Sequence, residues 1–198
     1  MERIVAKKII GVEGKDDKRF LEALLNNLEI NDVQILDFEG KSNFKTQIQA
    51  LKNTSGFSTI NICAFVRDAD ENPPTSAFRS VCDALRSAGL TPPANDQSFT
   101  EGNPKIGIFI MPGNGATGAI EDLCLESLKD EESFTCVNSY FDCLRTMPTK
   151  ESKAKTLCYL SGKEPYANSL GYAALKGHWD FSHASFESIK EFLVNFKL

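Results

Sequence analysis

The sequence predicts an α/β protein, with a parallel sheet of about four strands flanked by helices and a helical C-terminal extension. Three observations carry this. From Arg3 to about Leu128, apolar β-like runs alternate with amphipathic helical runs, the pattern of parallel βαβ units. Two of the runs, Ile62–Val66 and Ile106–Met111, are almost uninterrupted in their apolar character, as strands buried on both faces are. Beyond Asp130 the β signal stops and only helical periodicity remains.

In chain order, the first strand spans Ile4 to Val12. A helix from about Asp16 to Asn27 follows, with Phe20, Leu21, Leu24, Leu25 and Leu28 on one stripe and Asp16 or Asp17 placed to cap it. "VQILDFEG" supplies the second strand and the stretch from Phe44 to Leu51 its helix. The third strand is "ICAFV", its helix runs from about Ser76 to Ala88, and Gly89 stands where a left-handed cap is expected. "GLTPPANDQSFTEGNPK" is a Pro- and Gly-rich loop with room for a short edge strand. "IGIFIMPG" and "TGAIEDLCLESL" give the fourth strand and helix, and a final amphipathic segment carries Phe186, Ile189, Phe192, Leu193 and Phe196.

Composition bounds the function classes. At 198 residues with 41% apolar content the chain makes one domain, 1–198, comprising an α/β core over about 4–128 and an extension over about 129–198 packed on it. No apolar run is long enough to span a membrane, and Lys7 and Lys8 break the order of a signal peptide, so a cytoplasmic protein is expected. Six cysteines without a C-x-x-C pair read as reduced, mostly buried side chains rather than zinc ligands or bridges. A net charge of -5 argues against a broad basic surface that coats duplex nucleic acid, while leaving room for a local basic groove.

Chemistry concentrates where strands end. In a parallel sheet all strands finish on one edge, and ligands bind outside it. Glu13 ends the first strand, and Asp68 and Asp70 end the third, where residues two apart in an extended chain share a face. Three carboxylates gathered there repel one another unless a cation joins them, and hard oxygen donors suit Mg²⁺ or Mn²⁺. Taken singly, Asp68 and Asp70 also fit a turn before Asn72-Pro73-Pro74, and Asp16 and Asp17 fit helix caps.

At these residues the chain resembles the Toprim domains of primases, topoisomerases and OLD-type nucleases. The likeness rests on "IIGVEGKDDKRFLEALL", an apolar strand followed by Glu-Gly, two residues and Asp17, and on "FVRDAD". It covers roughly Ile4 to Leu128, and with "IGIFIMPGNGATGAIEDLCLESL" it is most similar to a small family of stand-alone prokaryotic Toprim-like proteins. The resemblance implies Glu13 as general acid/base and Asp68 and Asp70 as ligands of Mg²⁺. Gly14, Lys15, Asp17, Lys41, Glu121 and Asp122 stand as supporting positions, with Lys15 and Lys41 placed to offset phosphate charge. Glu121 either joins a second metal or, with Asp122, only complements a helix dipole.

Other motifs are weaker. "GNGATG" matches G-x-G-x-x-G, yet no strand ending in an acid follows, and Ala119-Ile120 excludes a P-loop. Asp-x-Asp also occurs in dehalogenase-type phosphatases and nucleotide-sugar glycosyltransferases, neither of which explains Glu13-Gly14. His178 and His183 with Asp180 read as a packed helix junction. The expectation is a Mg²⁺-dependent, nuclease-like protein acting on nucleic-acid phosphodiesters, DNA or RNA, with no membrane partner and room for a partner protein. The alternatives are a non-enzymatic module that binds nucleic acid or protein, and a nucleotide or sugar-phosphate transferase.

Overall fold

The computed structural model describes residues 2–197. Four strands, β1 (Lys8–Val12), β2 (Val33–Asp37), β3 (Ile62–Asp68) and β4 (Lys105–Met111), pair in parallel in the order β2-β1-β3-β4. The chain steps from β1 outward to β2 and then returns past β1 to β3. Neighbouring connections therefore leave in opposite directions between β1 and β3, and a crevice opens there at the carboxyl edge.

Alternation along each strand divides the core. Ile10, Val12, Ala64, Val66, Phe109 and Met111 face α1 (Lys15–Asn27), α4 (Ile120–Glu126) and the C-terminal helices. Ile9, Leu36, Cys63, Phe65, Ile108 and Ile110 face α2 (Phe44–Asn53) and α3 (Pro74–Ser87). Both faces are covered, which is why β3 and β4 read as continuous apolar runs.

The first strand begins at Lys8 and not at Ile4. Ahead of it the Gln34 side chain replaces the backbone ladder, accepting from the Val5 N–H at 2.8 Å and donating to the Arg3 carbonyl at 2.8 Å. The cap expected from Asp16 or Asp17 is absent: α1 starts after Gly14, in extended conformation without a side-chain capping bond, and both aspartates lie in the first turn. α3 opens on Pro74 at its first position and closes before Gly89 in the left-handed region, φ 73°. In the following loop the edge strand shrinks to a bridge from Phe99 to Gly107, with Gln97 and Thr100 N–H groups bonded to β4 carbonyls at 2.8 and 2.9 Å.

After Asp130 the chain is helical: α5 (Glu132–Asp142), α6 (Glu151–Leu160), α7 (Leu170–Leu175) and α8 (Glu187–Val194). Phe186, Ile189, Phe192, Leu193 and Phe196 are all buried in the same cluster as α1 and one face of the sheet. The Phe192 and Phe109 rings meet at 5.3 Å between centroids. The histidines serve this junction: His178 Nε2 bonds the Pro165 carbonyl at 2.7 Å, and His183 Nδ1 accepts from the Ser185 N–H at 3.0 Å. All six cysteines are free, and only Cys63, Cys82 and Cys124 are fully buried. Among the described residues no helix is long and apolar enough to cross a membrane.

Candidate metal centre at the carboxyl edge

Glu13 follows the last residue of β1 and Asp68 is the last residue of β3, so both border the crevice. The Asp68 Oδ1 accepts from the Ile120 N–H at 3.2 Å, at the start of α4. That bond draws α4 and its first-turn acid Glu121 to the same edge. Asp17, in the first turn of α1, also acts on Asp68 through its charge.

Asp70 does not continue the alternation of β3. The strand ends at Asp68, and Asp70 adopts a left-handed backbone, φ 55°. Its N–H and carbonyl form two 2.8 Å bonds with Gly118, so the loop after β4 is latched to the loop after β3. Gly118 itself has φ 129°, and a Cβ there would lie 2.6 Å from Asp122 Oδ2. The glycine-rich loop thus serves the backbone of the acidic site, which accounts for "GNGATG" without a dinucleotide.

The acids fall into two sets by their partners. The outer pair is neutralised: Asp70 Oδ2 lies 2.6 Å from the Lys41 ammonium, and Glu13 Oε1 lies 3.4 Å from Arg67 Nε. The inner set is Asp17, Asp68 and Glu121, and among the described residues none of these has a Lys or Arg within ion-pair distance. Burial, then the charges of Glu13 and Glu121, push the Asp17 carboxyl up to about 7. Burial, then Asp17 and Glu13, hold Asp68 well above the usual carboxylate range. Burial also raises Glu121, with Lys153 opposing from beyond ion-pair distance, and raises Glu13, with Arg67 opposing.

Asp68 lies at the centre of the group, its carboxyl raised by the charges of Asp17, Glu13, Glu121 and Asp70 in addition to burial. Their chemistry fits a hard divalent cation, since all five offer carboxylate oxygens. Their spacing is wider than a closed coordination shell. Among the described residues no group of three His, Cys, Asp or Glu side chains is gathered tightly enough to hold an ion. Lys41 and Arg67 each hold one acid of the group in an ion pair.

The remaining sequence-derived positions are placed as follows. Gly14 is the extended residue before α1, and Lys15 is exposed at the start of that helix. Asp122 is committed to α4, accepting from the Ala119 N–H at 2.7 Å and from the Ser152 hydroxyl. Sequence reasoning missed Arg67. Its signal was a lone cation in the apolar β3 run, on the strand face opposite Asp68.

A family model described as "Protein of unknown function (DUF3226)" matches residues 7–197. The chain belongs to the DUF3226 family. Its structure is similar to the C-terminal region of the Burkholderia pseudomallei OLD protein, with a TM-score of 0.51 and 16% identity over 98% of each chain. At that identity the likeness concerns the fold. Comparison with curated proteins gives no match.

Proposed function

We propose that this DUF3226 chain is a divalent-cation-dependent protein that acts on nucleic-acid phosphodiesters in a nuclease-like manner. One observation carries the reading: Glu13, Asp17, Asp70 and Glu121 surround Asp68 at the carboxyl edge beside the β1/β3 crevice, and among the described residues Asp17, Asp68 and Glu121 have no Lys or Arg within ion-pair distance. The Toprim resemblance of "VEGKDD" and "FVRDAD", which extends to OLD-type nucleases, supports it. So does the fold shared with the OLD C-terminal region.

On this reading Asp68 and Asp70 hold Mg²⁺ or Mn²⁺, with Asp17 and Glu121 adjacent. A cation held there would supply charge to polarise a phosphoryl oxygen and to ready a water. Glu13 manages the proton of the nucleophile or leaving group, and burial keeps its proton affinity above that of an ordinary glutamate, closer to the working pH. Lys41 and Arg67, which pair with Asp70 and Glu13 here, would face the phosphate oxygens of a substrate at the same edge.

A second reading, binding without catalysis, is favoured by the hold of Lys41 on Asp70 at 2.6 Å. Incubation of labelled single-stranded and nicked DNA and of RNA, with Mn²⁺ or with chelator, separates the two. Nuclease-like function requires cleavage that needs metal and disappears in Glu13→Gln while binding persists. Cleavage in chelator or in the variant overturns the mechanism, and metal-independent binding without any cleavage favours the second reading.

A further inference from the structure

A groove of about 690 Å³ runs between α2 and α3 and opens beside the carboxyl edge. Its walls carry Lys41, Lys45, Arg67 and Arg79, with the hydroxyls of Ser76 and Ser80 between them. On a chain of net charge -5, four cations in one groove are a local feature and not a property of the whole surface. Asp83 is the one acid on these walls, and its carboxylate is taken by Arg86 at 2.8 Å. Among the described residues no acid lies within ion-pair distance of Lys45 or Arg79.

Arg67 gives the groove a chemical demand. Its Nη1 is buried without a hydrogen-bond partner, its Nε meets Glu13 Oε1 at 3.4 Å as an ion pair without hydrogen-bond geometry, and its guanidinium lies over the Phe44 ring at 5.7 Å. Buried guanidinium donors without partners are costly, and their forked geometry matches phosphate oxygens. Lys41 and Arg67 belong to both places at once, since they line the groove and face Asp70 and Glu13. Groove and acids are therefore continuous.

We propose that this groove binds the phosphodiester backbone of a single nucleic-acid strand and leads it to the acids at the carboxyl edge. The proposal rests on the function given above and adds the path of the substrate. A groove of this size has room for a few nucleotides of one strand. Phe44, the aromatic residue on its walls, is buried, so bases find no ring to stack on. Contact is with phosphates and tolerates any sequence.

The test is fluorescence anisotropy of labelled oligothymidylate and oligouridylate binding to the full chain in chelator, over a series of salt concentrations. The variants are Lys45→Ala/Arg79→Ala and, as control, Lys129→Ala/Lys155→Ala on the separate groove lined by α4, α5 and α6. Lys45 and Arg79 are exposed, so their removal leaves the fold intact, and thermal melts verify it. Each phosphate contact on a single strand contributes about 0.7 to the slope of log affinity on log salt, so the first variant loses about 1.4. Its affinity at low salt falls by roughly tenfold, equally for both strands, and the control keeps wild-type values. Unchanged affinity and slope in the first variant overturn the groove. Equal loss in the control, loss confined to one sugar type, or tighter binding of a duplex of the same length also overturns it. All readouts are taken without metal, so failure here is distinct from failure of the Glu13→Gln cleavage test.

Discussion

The Lys41 ammonium lies 2.6 Å from the Asp70 carboxylate, joining the turns after β2 and β3 on either side of β1. The ion pair thus closes over the end of β1, where Glu13 stands. It holds the second acid of "DAD" on a protein cation instead of leaving it to a metal.

Lys41→Ala should therefore strengthen cation binding at little cost in stability. Both side chains are partly exposed, and such pairs contribute about 0–1 kcal/mol. The variant should melt within a few degrees of wild type in chelator, since about 1 kcal/mol moves a chain of this length by about 2–4 °C. Millimolar Mn²⁺ should raise its melting temperature by more than it raises that of wild type, because a freed carboxylate and a lost positive charge both favour the ion. An equal or smaller shift would show that Asp70 does not meet the cation.

The inner acids predict an unusual pH dependence for the metal-free protein. Asp17 keeps its proton in the fold up to about 7, chiefly through burial, while the unfolded chain releases it near the ordinary value of about 3.9. Between these values the folded state binds more protons, so stability is greatest at the acid end and falls as pH rises through the window. The Asp17 contribution to the melting temperature in chelator should decline from about pH 4 to about pH 7 and then level off, while the raised Asp68 extends the decline of the whole protein to higher pH. Asp17→Asn should flatten that decline, and the difference between the two curves isolates this residue. An unchanged slope in the variant would contradict the assignment.

The docking of α7 on α1 is tested at Gly171. A Cβ there would lie 2.3 Å from the Asp16 carbonyl oxygen and 2.8 Å from its Cα, both backbone atoms that cannot step aside. Gly171→Ala should destabilise by about 1–3 kcal/mol, as overpacking does. Thermal melts should read this as a lower transition, and an unchanged melt would mean that α7 does not hold the first turn of α1, where Asp17 sits.

Much of the fold was legible because its physics is local. β3 and β4 show as apolar runs since both faces of the sheet are covered, and Glu13 and Asp68 could be placed because the strand ends are marked by the first acids after those runs. Asp70 was misplaced by the same reasoning. Period-2 alternation stops at Asp68, and the left-handed turn that aims Asp70 at Lys41 depends on its two bonds to Gly118, forty-eight residues later. Asp17 and Glu121 look like ordinary first-turn acids in sequence, and only the packing of α1 and α4 around Asp68 gives them a shared field. The basic groove was hidden for a similar reason, since Lys45 and Arg79 belong to different helices.

The central claim is that the carboxyl-edge acids hold a divalent cation, and isothermal titration of the metal-free protein with Mn²⁺ tests it most directly. Wild type should show saturable binding. Asp68→Asn removes a carboxylate proposed to hold the cation and also relieves repulsion from Asp17 and Glu13, so it should weaken binding by at least roughly tenfold, the effect of even an outer-shell change, while melting no lower than wild type in chelator. No saturable binding to wild type, or binding of equal strength to Asp68→Asn, would contradict the account.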